Sequence, residues 1–207
     1  MKKGRIQELF NNLIVVIIIS IILISILAVI YSFTQEKIKI NETIFKKKAM
    51  LIAAGFAIPE NYNDLIKLYE GSIKEIMIQD KFEIYTYINN QIEEGNILSE
   101  GYVIIFSGPG LWGEITAALA IASDLETLAG IEFISQNETP GLGGRIVEDW
   151  FKKQFRGKKK INKIVGEKEK PEMDQISSIT GATNTTNYVL KLIESGKDYL
   201  KNFILQR

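Results

Sequence analysis

Ser177-Ser178-Ile179-Thr180-Gly181-Ala182-Thr183-Asn184-Thr185-Thr186 runs directly into Asn187-Tyr188-Val189-Leu190, and the chain changes character at that junction. Hydroxyls and two of the smallest residues give way to an apolar set, Val189, Leu190, Leu192, Ile193, Leu200, Phe203 and Ile204, at helical spacing. This pattern predicts a helix over about 184–205, with Thr180 or Thr183 as its N-cap. A helix start leaves backbone N–H groups unpaired and carries the positive end of the dipole, which suits a phosphate. The same residues would serve equally well as a plain cap.

Composition narrows the chemistry. The 207 residues are 46% hydrophobic and 24% charged, which fits one globular domain of ordinary size with an appendage. The formal net charge of +0 gives no basic field to draw a nucleic-acid partner. Cysteine is absent, which excludes disulfides, thiol catalysis and cysteine-bound zinc or iron–sulfur clusters. Histidine is absent too, and with it the commonest general base and metal ligand. No catalytic residue and no metal site is therefore expected, and demanding chemistry would rest on a borrowed cofactor.

Upstream, residues 1–12 carry Lys2, Lys3 and Arg5 against Glu8. Residues 13–33 follow without a charge, rich in Ile, Leu and Val, and match the roughly 20 residues that a transmembrane helix needs. Positive residues before the span predict a cytoplasmic N-terminus and an extracytoplasmic domain over 34–207. The run is longer than a signal-peptide core, and no small-x-small cleavage pattern stands near Ala28 or Ser32. An uncleaved single-pass anchor in the lipid bilayer of a bacterial inner (cell) membrane is expected.

Between the span and the opening stretch, a helix is predicted over 36–57, ended by Gly55 and Pro59, and a short one over 63–70 capped by Asn63 or Asp64. Strands are expected at 73–78, 82–88, 102–106, 115–121 and 128–134, with Gln79-Asp80-Lys81 as the first turn. Ala117, Ala118 and Ala120 would also suit a helix in the fourth of these segments. An amphipathic helix over 145–156, a short strand over 161–165 and a charged loop over 166–173 complete the plan. Hairpin-like antiparallel strands with peripheral helices make an α+β fold.

Two loops are rich in backbone constraint. In Glu138-Thr139-Pro140-Gly141-Leu142-Gly143-Gly144, Pro140 fixes φ and the glycines permit close backbone approach to a ligand, as they also would in an ordinary strand-to-helix turn. Gly108–Gly113 is similar, and its Trp112 would either pave a planar ring system or join the core. The G-x-G-x-x-G spacing of dinucleotide sites is absent. Asn41-Glu42-Thr43, Asn137-Glu138-Thr139 and Asn184-Thr185-Thr186 match the glycosylation pattern, a frequent chance match.

Taken together, Glu138–Gly144, then Trp150, Phe155 and Gly157-Lys158-Lys159, then Thr180-Gly181-Ala182-Thr183, resemble the FMN-binding subunits of the NqrC/RnfG family. Those subunits belong to ion-translocating NADH:quinone and ferredoxin:NAD oxidoreductase complexes. Gly110-Leu111-Trp112 before an apolar segment looks like the NqrC branch, as do Ala53-Ala54-Gly55 and Leu65–Tyr69, and the resemblance covers nearly the whole chain.

The resemblance implies a covalent FMN cofactor. The family signature is S/T-G-A-T, whose last threonine carries FMN through a phosphoester placed there by a flavin transferase with FAD as donor. Carried over by position, the modified residue is Thr183, with Thr180, Gly181 and Ala182 completing the signature. Thr139, Leu142 and Gly143 are the expected loop over the isoalloxazine or ribityl chain, with Trp112 as a further contact. The family's transferase motif usually has Asp three residues before the first S/T, where this chain has Ser177; Asp174 lies three residues further upstream. The implied function is electron relay, as a membrane-anchored flavoprotein, to other membrane subunits of an Nqr- or Rnf-type complex. The alternatives are a non-flavinylated structural or assembly subunit and a freestanding extracytoplasmic flavin reductase.

Overall fold

The computed structural model describes residues 2–79, 82–93 and 95–206, with side chains from residue 10 onward, so Asp80 and Lys81 of the predicted first turn lie outside the described residues. The chain divides into two units, Met1–Ile44 and Phe45–Arg207.

The first unit is helical, part of α1 (Lys2–Ala53). Its apolar residues from Phe10 to Phe33 are exposed, and an 18-residue window reaches a mean hydropathy of 3.6, long and apolar enough to cross a membrane. The hydroxyls of Ser20, Ser25 and Thr34 donate to carbonyls one turn back, at 2.8, 2.8 and 2.9 Å. These three hydroxyls are thereby satisfied within the helix.

The second unit opens with the last turns of α1. These close in a Schellman motif, in which Phe56 N–H donates to Leu51 C=O at 3.0 Å and Gly55 N–H to Ile52 C=O at 2.9 Å. α2 (Tyr62–Ser72) follows. Its cap is Asn61, ahead of the expected position, because Asn61 Oδ1 accepts the N–H of Asn63 at 2.8 Å and so precedes both predicted candidates.

Five consecutive strands form an antiparallel meander: β1 (Ile73–Gln79), β2 (Phe82–Ile88), β3 (Glu100–Pro109), β4 (Glu114–Ala122) and β5 (Leu128–Ser135). Period-2 alternation divides their side chains between two cores. Val103, Ile105, Ala118 and Ala120 face Met50, Leu51 and Ala54 of the end of α1, together with Leu65 of α2. Ile104, Phe106, Ala117, Leu119 and Ile121 face the opposite layer, built from α3 (Asp149–Lys153) and α4 (Thr183–Leu205). β4 is the strand that the sequence left open to a helical reading. Its alanines are strand residues because they pair in register with β3 and β5 while both faces of the strand are buried.

The predicted helix over 145–156 is instead a 3-10 turn (Gly143–Val147) followed by α3. Glu148 breaks it with an extended backbone (φ −69°, ψ 141°), and the break lets Ile146, Phe151 and Phe155 all reach the core. Lys152 of α3 ion-pairs with Glu132 of β5 at 2.8 Å, both side chains largely buried. The short strand at 161–165 is β6 (Lys163–Val165), and its partner β7 (Gln175–Ser177) was not expected. These two pair in parallel, which adds a second, parallel ladder to an otherwise antiparallel fold.

Candidate functional site

The signature turn sits at the start of α4. Gly181 adopts φ +76°, a left-handed conformation that side-chain-bearing residues enter at a cost, and Ala182 N–H donates to Ile179 C=O at 2.9 Å to close the turn. The N-cap is Ala182, so neither Thr180 nor Thr183 caps the helix. Thr183 is the first residue of α4 and is exposed. The first intrahelical bond runs from Thr186 N–H to Ala182 C=O at 3.1 Å. The N–H groups of Thr183, Asn184 and Thr185 have no acceptor among the described residues.

The hydroxyls that do stitch the turn are buried ones further on. Thr186 Oγ1 donates to Ala182 C=O at 3.2 Å and accepts from Ile179 N–H at 3.4 Å. Thr185 Oγ1 donates to Glu138 Oε2 at 2.6 Å. The expected hydroxyl cap is absent: α4 has no side-chain cap bond, and the threonines that hold the turn, Thr185 and Thr186, bond inward.

Two carboxylates fasten this turn to the rest of the domain. Glu138 is 4% exposed and lies just past β5. Its Oε1 accepts from the N–H groups of Leu111 at 2.7 Å and Trp112 at 3.2 Å, while Oε2 takes the Thr185 hydroxyl. Space for it comes from two glycines. A Cβ on Gly110 would stand 2.5 Å from Oε1, and one on Gly143 would stand 2.7 Å from Oε2. On the other side, Glu167 accepts the N–H of Thr180 at 2.6 Å and a two-pronged contact from Arg145 at 3.1 and 2.8 Å. Arg145, with help from Thr180, holds the Glu167 carboxyl at about 2, well below its ordinary value. Arg145 also bonds Glu148, and the Trp150 indole N–H donates to the same carboxylate.

Of the predicted site residues, Leu142 and Gly143 lie against the start of α4, while Trp112 is linked to it only through Glu138. The Leu142 side chain lies over the signature turn, 3.1 Å from where a Gly181 Cβ would be. Gly143 is buried beneath it, and the carbonyl of exposed Thr139 accepts from Leu142 N–H at 3.1 Å and Gly144 N–H at 3.0 Å. Trp112 is 70% exposed and Leu142 44%, which rules out the core reading of Trp112 and leaves both apolar side chains on the surface. The concavities lined by Leu128 and Lys197, by Phe82 and Glu83, and by Ile52 and Arg156 contain none of these residues.

Sequence reasoning missed Glu138, Thr185, Arg145 and Glu167. Glu138 was seen as the first residue of the loop that carries the resemblance and Thr185 inside a glycosylation pattern, but no local signal marks a contact across 47 positions. Ser177 is buried in β7, where Gln154 bonds its backbone and its own hydroxyl donates to the Glu169 carbonyl at 3.1 Å. Asp174 is exposed and pairs with the Asn162 amide at 3.1 Å.

This geometry has counterparts. Residues 110–197, which span the Trp112 turn, the glycine loop, the signature and most of α4, match the family model described as FMN-binding domain. The RnfG component of the ion-translocating oxidoreductase complex of Methanosarcina acetivorans is 25% identical over 94% of this chain and 95% of its own length. The NqrC component of the Na(+)-translocating NADH-quinone reductase of Vibrio anguillarum is 32% identical over 57% of this chain, which spans about half (51%) of that relative. The crystal structure of NqrC from the Na(+)-translocating NADH-quinone reductase of Parabacteroides distasonis shares the fold with a TM-score of 0.57 at 23% identity, covering 81% of this chain and 95% of that one. Shewanella oneidensis NqrC does so at 0.51 and 17%, covering 72% and 88%. The fold, the family model over residues 110–197 and relatives from both branches agree in likening the chain to the NqrC/RnfG family.

Proposed function

We propose that this chain is a membrane-anchored electron-relay subunit that carries FMN through a phosphoester on Thr183, within an ion-translocating complex of Nqr or Rnf type. The observation that carries the reading is the state of Thr183: an exposed hydroxyl on the first residue of a 23-residue helix, ahead of three N–H groups without acceptors. Those groups and the helix dipole suit a phosphate diester, and the exposed Trp112 and Leu142 suit a planar ring. A covalent tether also removes the need for an enclosing pocket. FMN, when attached, supplies the redox chemistry; the chain supplies its position and its electrostatic surroundings.

Attachment balances as a phosphoryl transfer. Thr183 Oγ forms a bond to the FMN phosphorus of FAD, the bond from that phosphorus to the bridging oxygen breaks, AMP leaves, and the hydroxyl proton passes to solvent. Thr180, Gly181 and Ala182 supply the turn that presents the hydroxyl. The apolar run at 13–33, three cations before it and the names of the relatives support an anchor with the domain on the extracytoplasmic side. The lipid bilayer, the other membrane subunits and a flavin transferase are the partners this requires.

The test is co-expression of the full chain with a flavin transferase. The denatured protein should stay fluorescent on a gel and gain one FMN by intact mass, and Thr183→Val should abolish both signals. Fluorescence that survives this substitution removes the assignment.

Ser177 favours a second reading, a structural or assembly subunit without flavin, because the family's Asp is missing there. The side chain at this position is 4% exposed and already bonded to the Glu169 carbonyl. Flavin absent from the native chain but gained by Ser177→Asp would establish that reading; flavin on the native chain excludes it.

A further inference from the structure

We infer that Glu138 is the positioning residue that assembles the flavin seat before any cofactor arrives, and that its charge sets the reduction potential of a flavin held there. The inference rests on the reading of Thr183 as the attachment site and adds to it a residue that never touches the modified threonine.

The observations are geometric. A buried carboxylate is costly unless its oxygens are paired, and Glu138 is paired with three donors from two separate parts of the chain. Leu111 and Trp112 N–H come from the turn between β3 and β4, in which Gly110 N–H donates to Gly113 C=O at 2.7 Å. The Thr185 hydroxyl comes from the first turn of α4. No other described side chain bonds both the Trp112 turn and α4. A Cβ on Gly110 would meet Oε1 at 2.5 Å, and one on Gly143 would meet the Thr185 hydroxyl at 2.6 Å and Oε2 at 2.7 Å, so both glycines leave room for the carboxylate and its partner. All three partners donate, so the ionised form with four lone-pair sites is the form that the seat requires.

The placement has an electrical consequence. Buried Glu138 bonds both the Trp112 turn and the first turn of α4, so a fixed negative charge lies beneath the helix start on which the reading puts the flavin. Such a charge opposes electron uptake by a nearby redox centre, and low-dielectric surroundings strengthen its effect.

The experiment compares Glu138→Gln, Glu138→Ala and Thr185→Val in the full chain, with and without flavin transferase. In the chain without flavin, hydrogen exchange of the Leu111 and Trp112 amides should rise roughly tenfold or more in Glu138→Ala. It should stay close to native in Glu138→Gln, whose amide oxygen still accepts both N–H groups while its NH2 faces a Thr185 hydroxyl able to turn and accept. Thr185→Val should leave the Leu111 and Trp112 amides protected, because it removes only the donor from α4. In the flavin-loaded chain, dithionite supplies the electrons and solvent the protons of a reductive titration. Glu138→Gln should shift the midpoint to more positive potential while keeping the native flavin spectrum.

Amides that exchange at the native rate in Glu138→Ala would overturn the positioning role. An unchanged midpoint in Glu138→Gln would overturn the electrical one. Should Glu138→Ala fail to fold, the Glu138→Gln titration and Thr185→Val exchange still decide. A native chain that takes up no flavin defeats the reading of Thr183 but not this assembly role, because the exchange comparison needs no cofactor.

Discussion

The Thr185 hydroxyl donates to Glu138 Oε2 at 2.6 Å, inside the domain and 47 positions away in sequence. One bond thus fixes the start of α4 to the segment that leaves the sheet, and it does so within the same helical turn as the exposed Thr183.

Removing that hydroxyl should be felt as stability. Thr185 is 1% exposed, and Thr185→Val keeps its shape while taking one donor from a buried carboxylate. The expected cost is about 1–2 kcal/mol, read as a lower denaturant midpoint with an unchanged m-value. A loss below about 0.3 kcal/mol would show that the bond adds nothing net.

Gly181 should tolerate a side chain poorly. Its φ of +76° is strained for alanine, and the new Cβ would meet Leu142 Cδ2 at 3.1 Å. Gly181→Ala should cost about 1–2 kcal/mol, measured by thermal or chemical unfolding. Gly141, also at positive φ but with nothing within 4 Å of its added Cβ, should show the backbone part of that cost alone.

The Thr180 side of the turn should loosen in acid. Arg145, then the Thr180 N–H, depress the Glu167 carboxyl to about 2 from 4.5. A depressed carboxyl contributes stability that is fully present above its unfolded value and is lost as pH falls through its folded one. The window here runs from about 4.5 down to about 2. The Thr180 amide resonance should titrate with a midpoint near the lower end, and Glu167→Gln should abolish the titration. A midpoint at or above the ordinary value of 4.5 would show that Arg145 does not hold the carboxylate.

The buried pair of Lys152 and Glu132, with side chains 14% and 10% exposed, should resist half-removal. Lys152→Met leaves Glu132 in the interior without its cation and should cost about 3 kcal/mol. Pairing it with Glu132→Leu should recover most of that loss in equilibrium unfolding.

Periodicity made most of the architecture legible. The five strands stand where alternation and turn residues put them, and α4 begins one residue from its expected start. What local pattern could not carry was tertiary. Glu148 breaks a helix that amphipathicity joins, because three core side chains must reach one layer. β7 is three residues long, too short for any period, and exists because β6 lies beside it. The site divides the same way. Thr139, Leu142, Gly143 and the signature were visible as motifs, and Trp112 as an unplaced aromatic. Glu138 and Glu167 were ordinary loop acids until the fold brought their donors to them.

The meander orders events in time. Every strand of the sheet pairs with its neighbour in sequence, so β1 to β5 can form as the chain is made, before α4 exists. The signature turn is anchored by Glu138 from behind β5 and by Glu167 from the loop after β6, and the helix that begins at Thr183 is the last element to arrive. Under the attachment proposed at Thr183, a modifying enzyme that needs this turn in shape would meet a sheet already folded. Cofactor loading would then act as quality control: a misfolded copy would stay colourless.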